Sequence, residues 1–261
     1  MSDFEILPFS SDREIVVDAG YLGTGRHIVH LLVELDVTKA RELLDEASSR
    51  LGRKISFTAF IAASLAKAIQ DTPKVQAYRD WRGRLVVFHD VDVVTMIEPQ
   101  PGAVAIPHII RSANQKTVLQ ISDEIRTIQA NPESSEQHGK LVALATNVPR
   151  LGRLFFFWLL KKKPHWFKKI EGTTVVTSVG MFGKGGGWGL TFLPVHTLGF
   201  TVGGIAQKPG VHQGAITVRQ FLDLTASFDH DIVDGAPAVR FLRRLGDLIQ
   251  EASLLEELPS P

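Results

Sequence analysis

The stretch richest in reactive side chains is Ser227-Phe228-Asp229-His230-Asp231-Ile232-Val233-Asp234-Gly235. A neutral imidazole is well matched to moving a proton near neutral pH, and His230 stands where a ring can be both held and reached. The run Phe221-Leu222-Asp223-Leu224-Thr225-Ala226-Ser227-Phe228 alternates like a half-buried strand and delivers His230 at its end. Asp234 then suits an N-cap and Pro237 a first turn, while Ala238, Leu242, Leu245, Ile249 and Ala252 repeat at helical spacing. Taken singly, a histidine after a strand and an aspartate at a cap are ordinary; their conjunction as His-x-x-x-Asp-Gly at a strand-to-helix corner singles them out. A second candidate lies in Gly172-Thr173-Thr174-Val175-Val176-Thr177-Ser178-Val179-Gly180-Met181-Phe182-Gly183, which reads as a strand ending in a glycine turn. Thr177 and Ser178 are adjacent hydroxyls on that strand, so only one of them faces any given site.

Other candidates are weaker. His27-x-x-His30 sits on a strand, where the two rings face opposite sides with no third ligand beside them, so no metal is expected. Gly183-Lys184-Gly185-Gly186-Gly187-Trp188-Gly189 fits neither phosphate-loop spacing and reads as a flexible hairpin tip. The chain has 261 residues, 44% of them hydrophobic, and no cysteine, which excludes disulfides, a thiol nucleophile and cysteine-ligated zinc. Its 29 basic and 28 acidic side chains nearly cancel and leave no net field to draw in nucleic acid. Leu154 to Leu160 is too short to span a bilayer, for which ~20 apolar residues are needed. With Lys161-Lys162-Lys163 behind it, that segment is expected to be a buried helix with a solvated basic end. Met1 to Glu5 lacks the basic and apolar regions of a signal peptide, and a cytoplasmic location is expected.

The elements that must position these residues follow from periodicity. Residues 1 to 26 read as an extended segment punctuated by Gly20, Gly23 and Gly25, and His27 to Val37 as a strand. Helices are expected from Asp36 to Arg50, from Ser56 to Gln70 and from Thr117 to Ala130, with strands at 85–88, 91–97 and 103–107.

His-x-x-x-Asp-Gly, preceded by Ser-Phe-Asp and followed by Ala236, resembles the motif of the chloramphenicol acetyltransferase-like superfamily. Within it, the chain is most similar to the catalytic domain of dihydrolipoyl acyltransferases, the core subunits of 2-oxo acid dehydrogenase complexes. Val33-Glu34-Leu35-Asp36-Val37-Thr38-Lys39-Ala40-Arg41 looks like the family's strand-then-helix opening, Lys54 to Phe60 like its next helix start, and Pro73-Lys74-Val75-Gln76-Ala77 like its proline-containing helix end. The likeness runs from about residue 27 to 255, between an N-terminal segment (1–26) and a short tail (256–261). Leu141 to Ile170 departs from it as a Phe/Trp/Lys-rich insertion.

The resemblance implies an α/β fold, a two-layer α+β sandwich with a mixed sheet and flanking helices, that forms trimers. It implies an acyltransferase moving an acyl group between coenzyme A, or a lipoyl-type thiol, and an acceptor. His230 is then the general base, Thr177 falls on the family's oxyanion-donor position with Ser178 beside it, and Asp234 orders the loop against an arginine, Arg13 or Arg26. Where the family commonly has arginine after the histidine, this chain has Asp231, a carboxylate that would favour the charged imidazolium if it faced the ring. In such trimers the histidine and the hydroxyl strand come from neighbouring subunits. The ending Leu254 to Pro261 differs from the family's apolar anchor, so a free trimer is expected, with assembly into cubic cages left open. No lipoyl domain is expected on this chain, which makes coenzyme A an acyl-carrier substrate and a separate lipoyl protein a partner. A chloramphenicol-type O-acetyltransferase and a noncatalytic trimeric scaffold are the alternatives.

Overall fold

The computed structural model describes residues 4–9, 11–98, 105–135, 148–180, 185–190, 192–193 and 195–258. In chain order the strands are β1 (Ile28–Asp36), β2 (Tyr78–Arg79), β3 (Leu85–Val86), β4 (Val93–Ile97), β5 (Ile106–Ile110), β6 (Thr174–Ser178), β7 (Leu198–His212) and β8 (Ala215–Asp229). The longer helices are α1 (Ser11–Gly23), α2 (Thr38–Arg50), α3 (Phe57–Asp71), α4 (Val118–Ala130), α5 (Arg150–Lys162), α6 (Pro164–Glu171) and α7 (Gly235–Glu251), followed by the short α8 (Ser253–Glu256). Strands β1-β8-β7-β6-β4-β5 form one sheet in that order, and β2 and β3 form a separate ribbon. The pairs β6–β7 and β4–β6 are parallel and the others antiparallel, so the sheet is mixed, as expected.

Local chemistry sets the helix starts. The Ser56 hydroxyl accepts from Ala59 N at the head of α3, and Thr117 and Gln120 close a capping box on α4. Helix α3 is buried along nearly its whole length because it lies against α4 and α7 over one face of the sheet. Phe200 and Phe228 from the sheet meet Phe241 of α7 there, the Phe228 and Phe241 rings edge to face with centroids 6.2 Å apart. Strands β7 and β8 are joined by a two-residue turn in which Gln213 (φ 51°) and Gly214 (φ 80°) are both left-handed, a turn whose twist matches the strands it joins.

Several expectations are corrected. Part of the segment at 1–26 is helical: Ser11–Gly23 forms α1, held against α5 by Asp18, which pairs with both Arg150 and Arg153. Glycine spacing alone does not reveal a helix whose partner lies more than a hundred residues away. The strand expected at 103–107 is at Ile106–Ile110, displaced toward the β-branched residues; 103 and 104 lie outside the described residues. In the run Gly183 to Gly189, residues 183 and 184 lie outside the described residues, and 185–189 are no hairpin tip, because β6 and β7, which flank them in the chain, are parallel. Gly187 N donates to the buried Asp223 carboxylate at 2.6 Å, and the loop passes so close to Gly203 that a Cβ there would lie 2.3 Å from Gly187 O. The Phe/Trp segment is a helix but not a buried one: Leu151, Phe155 and Trp158 are 83%, 63% and 49% exposed. Among the described residues, no helix is long and apolar enough to cross a membrane.

Candidate active site

Strand β8 and helix α7 bring His230 to the corner between them, and backbone hydrogen bonds fix it. His230 N donates to His27 O at 2.8 Å, and Ile232 N and Val233 N both donate to Asp229 O at 3.0 Å. The backbone of His230 is therefore pinned while the residue itself is exposed.

Beneath this turn Asp229 anchors the corner. Its Oδ2 lies 3.3 Å from Arg26 Nη1, with both side chains only 8% exposed, and its Oδ1 accepts from Asp231 N at 3.2 Å. Arg26 Nη1 also donates to His196 O at 2.6 Å. The arginine that the resemblance sets against Asp234 therefore engages Asp229. Asp234 begins α7 in extended backbone, its carbonyl accepts from Ala238 N at 3.1 Å, and its carboxylate makes no capping bond. Arg13 is exposed on α1. Asp231 turns to His27, whose Nδ1 lies 2.8 Å from Asp231 Oδ1, and this hydrogen bond raises the His27 pKa. His30 Nδ1 meets the Ser227 hydroxyl at 2.8 Å, so the two early histidines serve separate contacts, and no metal cluster occurs among the described residues.

Sequence reasoning missed a group of titratable side chains under the corner, of which Tyr78 and His196 are buried and Glu171 partly so. Burial lowers the His196 pKa to about 4, with Arg26 opposing its charge, and its Nε2 donates to Glu171 O at 2.7 Å. Burial raises the Glu171 carboxyl to about 7 and pushes the Tyr78 hydroxyl well up. The Tyr78 hydroxyl donates to Thr173 O at 2.8 Å. No motif announces these residues; Tyr78, Glu171 and His196 sit on separate elements that only the fold collects.

The hydroxyl pair lies elsewhere. Thr177 is in register with Thr201, and Thr201 with Thr225, whereas His230 is five residues beyond Thr225. That places Thr177 about 17 Å from His230 along the strands and about 10 Å across them. Val176, which shares a face with Ser178, packs into the helix-covered core, and Ser178 opens on a cleft of about 790 Å³ between the end of β6 and helices α2 and α3. Thr177 faces the opposite side of the sheet. Within one chain, then, the base and the hydroxyls are not brought together. The glycine turn after the strand, from Met181 to Gly183, lies outside the described residues.

Residues 26–139 and 163–256 of the chain match the model of the 2-oxoacid dehydrogenases acyltransferase (catalytic domain) family, and the stretch between them falls on the segment that departs from the resemblance. It is 22% identical over 260 residues to a dihydrolipoyllysine-residue acetyltransferase component of the pyruvate dehydrogenase complex from Rickettsia felis, covering 97% of this chain and 55% of that protein. The chain thus spans about half the length of the curated relatives it matches. The cubic core of a pyruvate dehydrogenase multienzyme complex shares the fold with a TM-score of 0.75 at 18% identity, over 97% of this chain and 94% of that one. A chloramphenicol acetyltransferase shares it more distantly, with a TM-score of 0.56 at 12% identity, over 95% of this chain and 99% of that one. With the two matched stretches covering most of the chain, and the second running through the elements that carry Thr177, Ser178 and His230, the chain belongs to the 2-oxoacid dehydrogenase acyltransferase family, as a catalytic domain.

Proposed function

We propose that this chain transfers an acyl group between coenzyme A, or a lipoyl-type thiol on a separate protein, and an acceptor, using His230 as general base. The observation that carries the reading is the exposed His230 ring on a corner whose backbone is pinned from both sides. A thiol has a pKa near ~8.5, so a neutral imidazole is a competent base toward it at neutral pH. His230 takes the thiol proton as sulfur attacks the acyl carbonyl carbon. The tetrahedral oxyanion then collapses, the bond from carbon to the departing sulfur breaks, and the imidazolium returns the proton to that sulfur. Donors aimed at the oxyanion lower the barrier, and Thr177 holds the family's position for one. No serine or cysteine nucleophile is needed, because the acyl group passes directly between two bound substrates.

The separation of Thr177 from His230 within one chain supports a site completed between protomers, His230 from one and the hydroxyl strand from its neighbour. A homotrimer satisfies that arrangement with identical contacts around a threefold axis. Asp231 supports the same reading, since its carboxylate is engaged by His27. The test is acyl transfer from a panel of acyl-coenzyme A donors to small thiols, with wild type and His230→Ala. Activity lost in the variant supports the reading, and equal rates end it.

A further inference from the structure

A pocket of about 320 Å³ opens directly beside the His230 corner, between the β2–β3 ribbon, the last turn of α5 and the turn at 229–232. Four cations line it: Arg26, Arg79, Lys161 and Lys162. The carboxylates that share the lining are already engaged. Asp229 pairs with Arg26, Asp231 with His27, and Asp80 with Arg84 at 2.8 Å. Among the described residues Arg79 and Lys162 meet no carboxylate. The Arg26 guanidinium, 8% exposed, keeps its Nε without a hydrogen-bond partner, an omission that costs stability in a buried donor. Burial, and then the Arg26 charge, lower the Lys161 pKa, against the opposing pull of the Asp229 and Asp231 carboxylates. The pocket is built and not incidental, because Trp81 N donates to Lys162 O at 3.2 Å and docks the end of α5 on the ribbon.

We propose that this pocket binds an oxyanion carried by a substrate, a carboxylate on the acyl group or a phosphate on the thiol carrier, held by Lys161, Lys162, Arg79 and Arg26. Guanidinium and ammonium groups converging on one partly desolvated space make charge-assisted bonds to carboxylate and phosphate oxygens. The site adjoins the turn that carries the base, so an anion seated there sets how far the rest of the substrate reaches toward His230. Lys161 and Lys162 belong to the stretch left unmatched between residues 139 and 163, whereas Arg26 and Arg79 lie within the matched residues. The kinetic consequence rests on the acyl-transfer reading; the binding consequence does not.

Two measurements test it, on the intact chain and on Lys161→Gln/Lys162→Gln, with circular dichroism to confirm the fold. In calorimetric titration, wild type binds inorganic phosphate or succinate and the double variant binds the same anion at least about tenfold more weakly. No binding by wild type, or equal binding by both proteins, overturns the proposal. In kinetics, succinyl-coenzyme A is compared with butyryl-coenzyme A as donor, and coenzyme A with pantetheine as acceptor. The double variant raises KM about tenfold for the member of one pair that carries the additional anionic group and leaves the other member of that pair unchanged. The pair that responds identifies whether the oxyanion is the acyl carboxylate or the carrier phosphate, and equal effects on both members of each pair overturn the proposal. If wild type transfers no acyl group from any donor, the acyl-transfer reading fails, and the titration alone decides the pocket.

Discussion

Arg26 and Asp229 form a buried ion pair, Nη1 to Oδ2 at 3.3 Å, directly beneath the turn that presents His230. Because Arg26 also donates to His196 O, one guanidinium ties the N-terminal entry of β1 to both the exit of β8 and the approach to β7. Breaking such a pair leaves a buried charge without a counterion. Arg26→Met is expected to destabilise the domain by about 3–5 kcal/mol, read as a drop in the urea midpoint.

His230→Ala is expected to lower kcat/KM for acyl transfer by about a hundredfold or more, with unchanged far-ultraviolet circular dichroism. The ring is exposed and its backbone bonds survive the substitution, so loss of rate without loss of fold is the signature of a proton carrier.

Thr177→Ala is expected to cost about a hundredfold in kcat, the usual loss for one oxyanion donor, and Ser178→Ala, on the opposite face, to leave kcat within a few-fold. Neither Thr177→Ala nor His230→Ala alone is active in this account, yet refolding the two together in equal amounts restores about a quarter of wild-type activity. In randomly mixed trimers that fraction of junctions joins an intact His230 to an intact Thr177. A mixture as inactive as its components would place both groups in one chain's site.

His196→Gln is expected to change the pH dependence of stability. Burial lowers the folded-state pKa of His196 to about 4, below the value of about 6.5 for an unfolded chain. Its contribution is therefore fully present above pH ~6.5 and is lost as the pH falls toward 4, by at most about 1.4 kcal/mol per unit. Glutamine cannot take up that proton, so the melting temperature of the variant gains on that of wild type through this window. A constant difference between the two from pH 7 to 4.5 would refute the assignment.

Gly203→Ala is expected to destabilise the domain by roughly 1–3 kcal/mol, since its Cβ would lie 2.3 Å from Gly187 O and 2.6 Å from Asp223 O. Both obstacles are backbone atoms, so the crossover loop must lift and the Gly187–Asp223 hydrogen bond lengthens. Hydrogen exchange at Gly187 N reports that directly, with faster exchange in the variant.

The amino-acid order by itself determined the local pieces of this protein. Ser56 and Thr117 mark helix starts because a hydroxyl can satisfy a free backbone N–H at a helix head whatever lies around it. The corner at His230 was legible because an alternating strand, a turn and an apolar helical stripe follow one another between Phe221 and Ala252. Tertiary structure decided what local chemistry cannot encode. Asp18 draws Ser11–Gly23 into a helix against α5, and Arg26 chooses Asp229 over Asp234. The parallel pairing of β6 with β7 holds Thr177 far from His230. Each depends on groups far apart in the chain, whose encounter is set by sheet order and burial and not by spacing along the sequence.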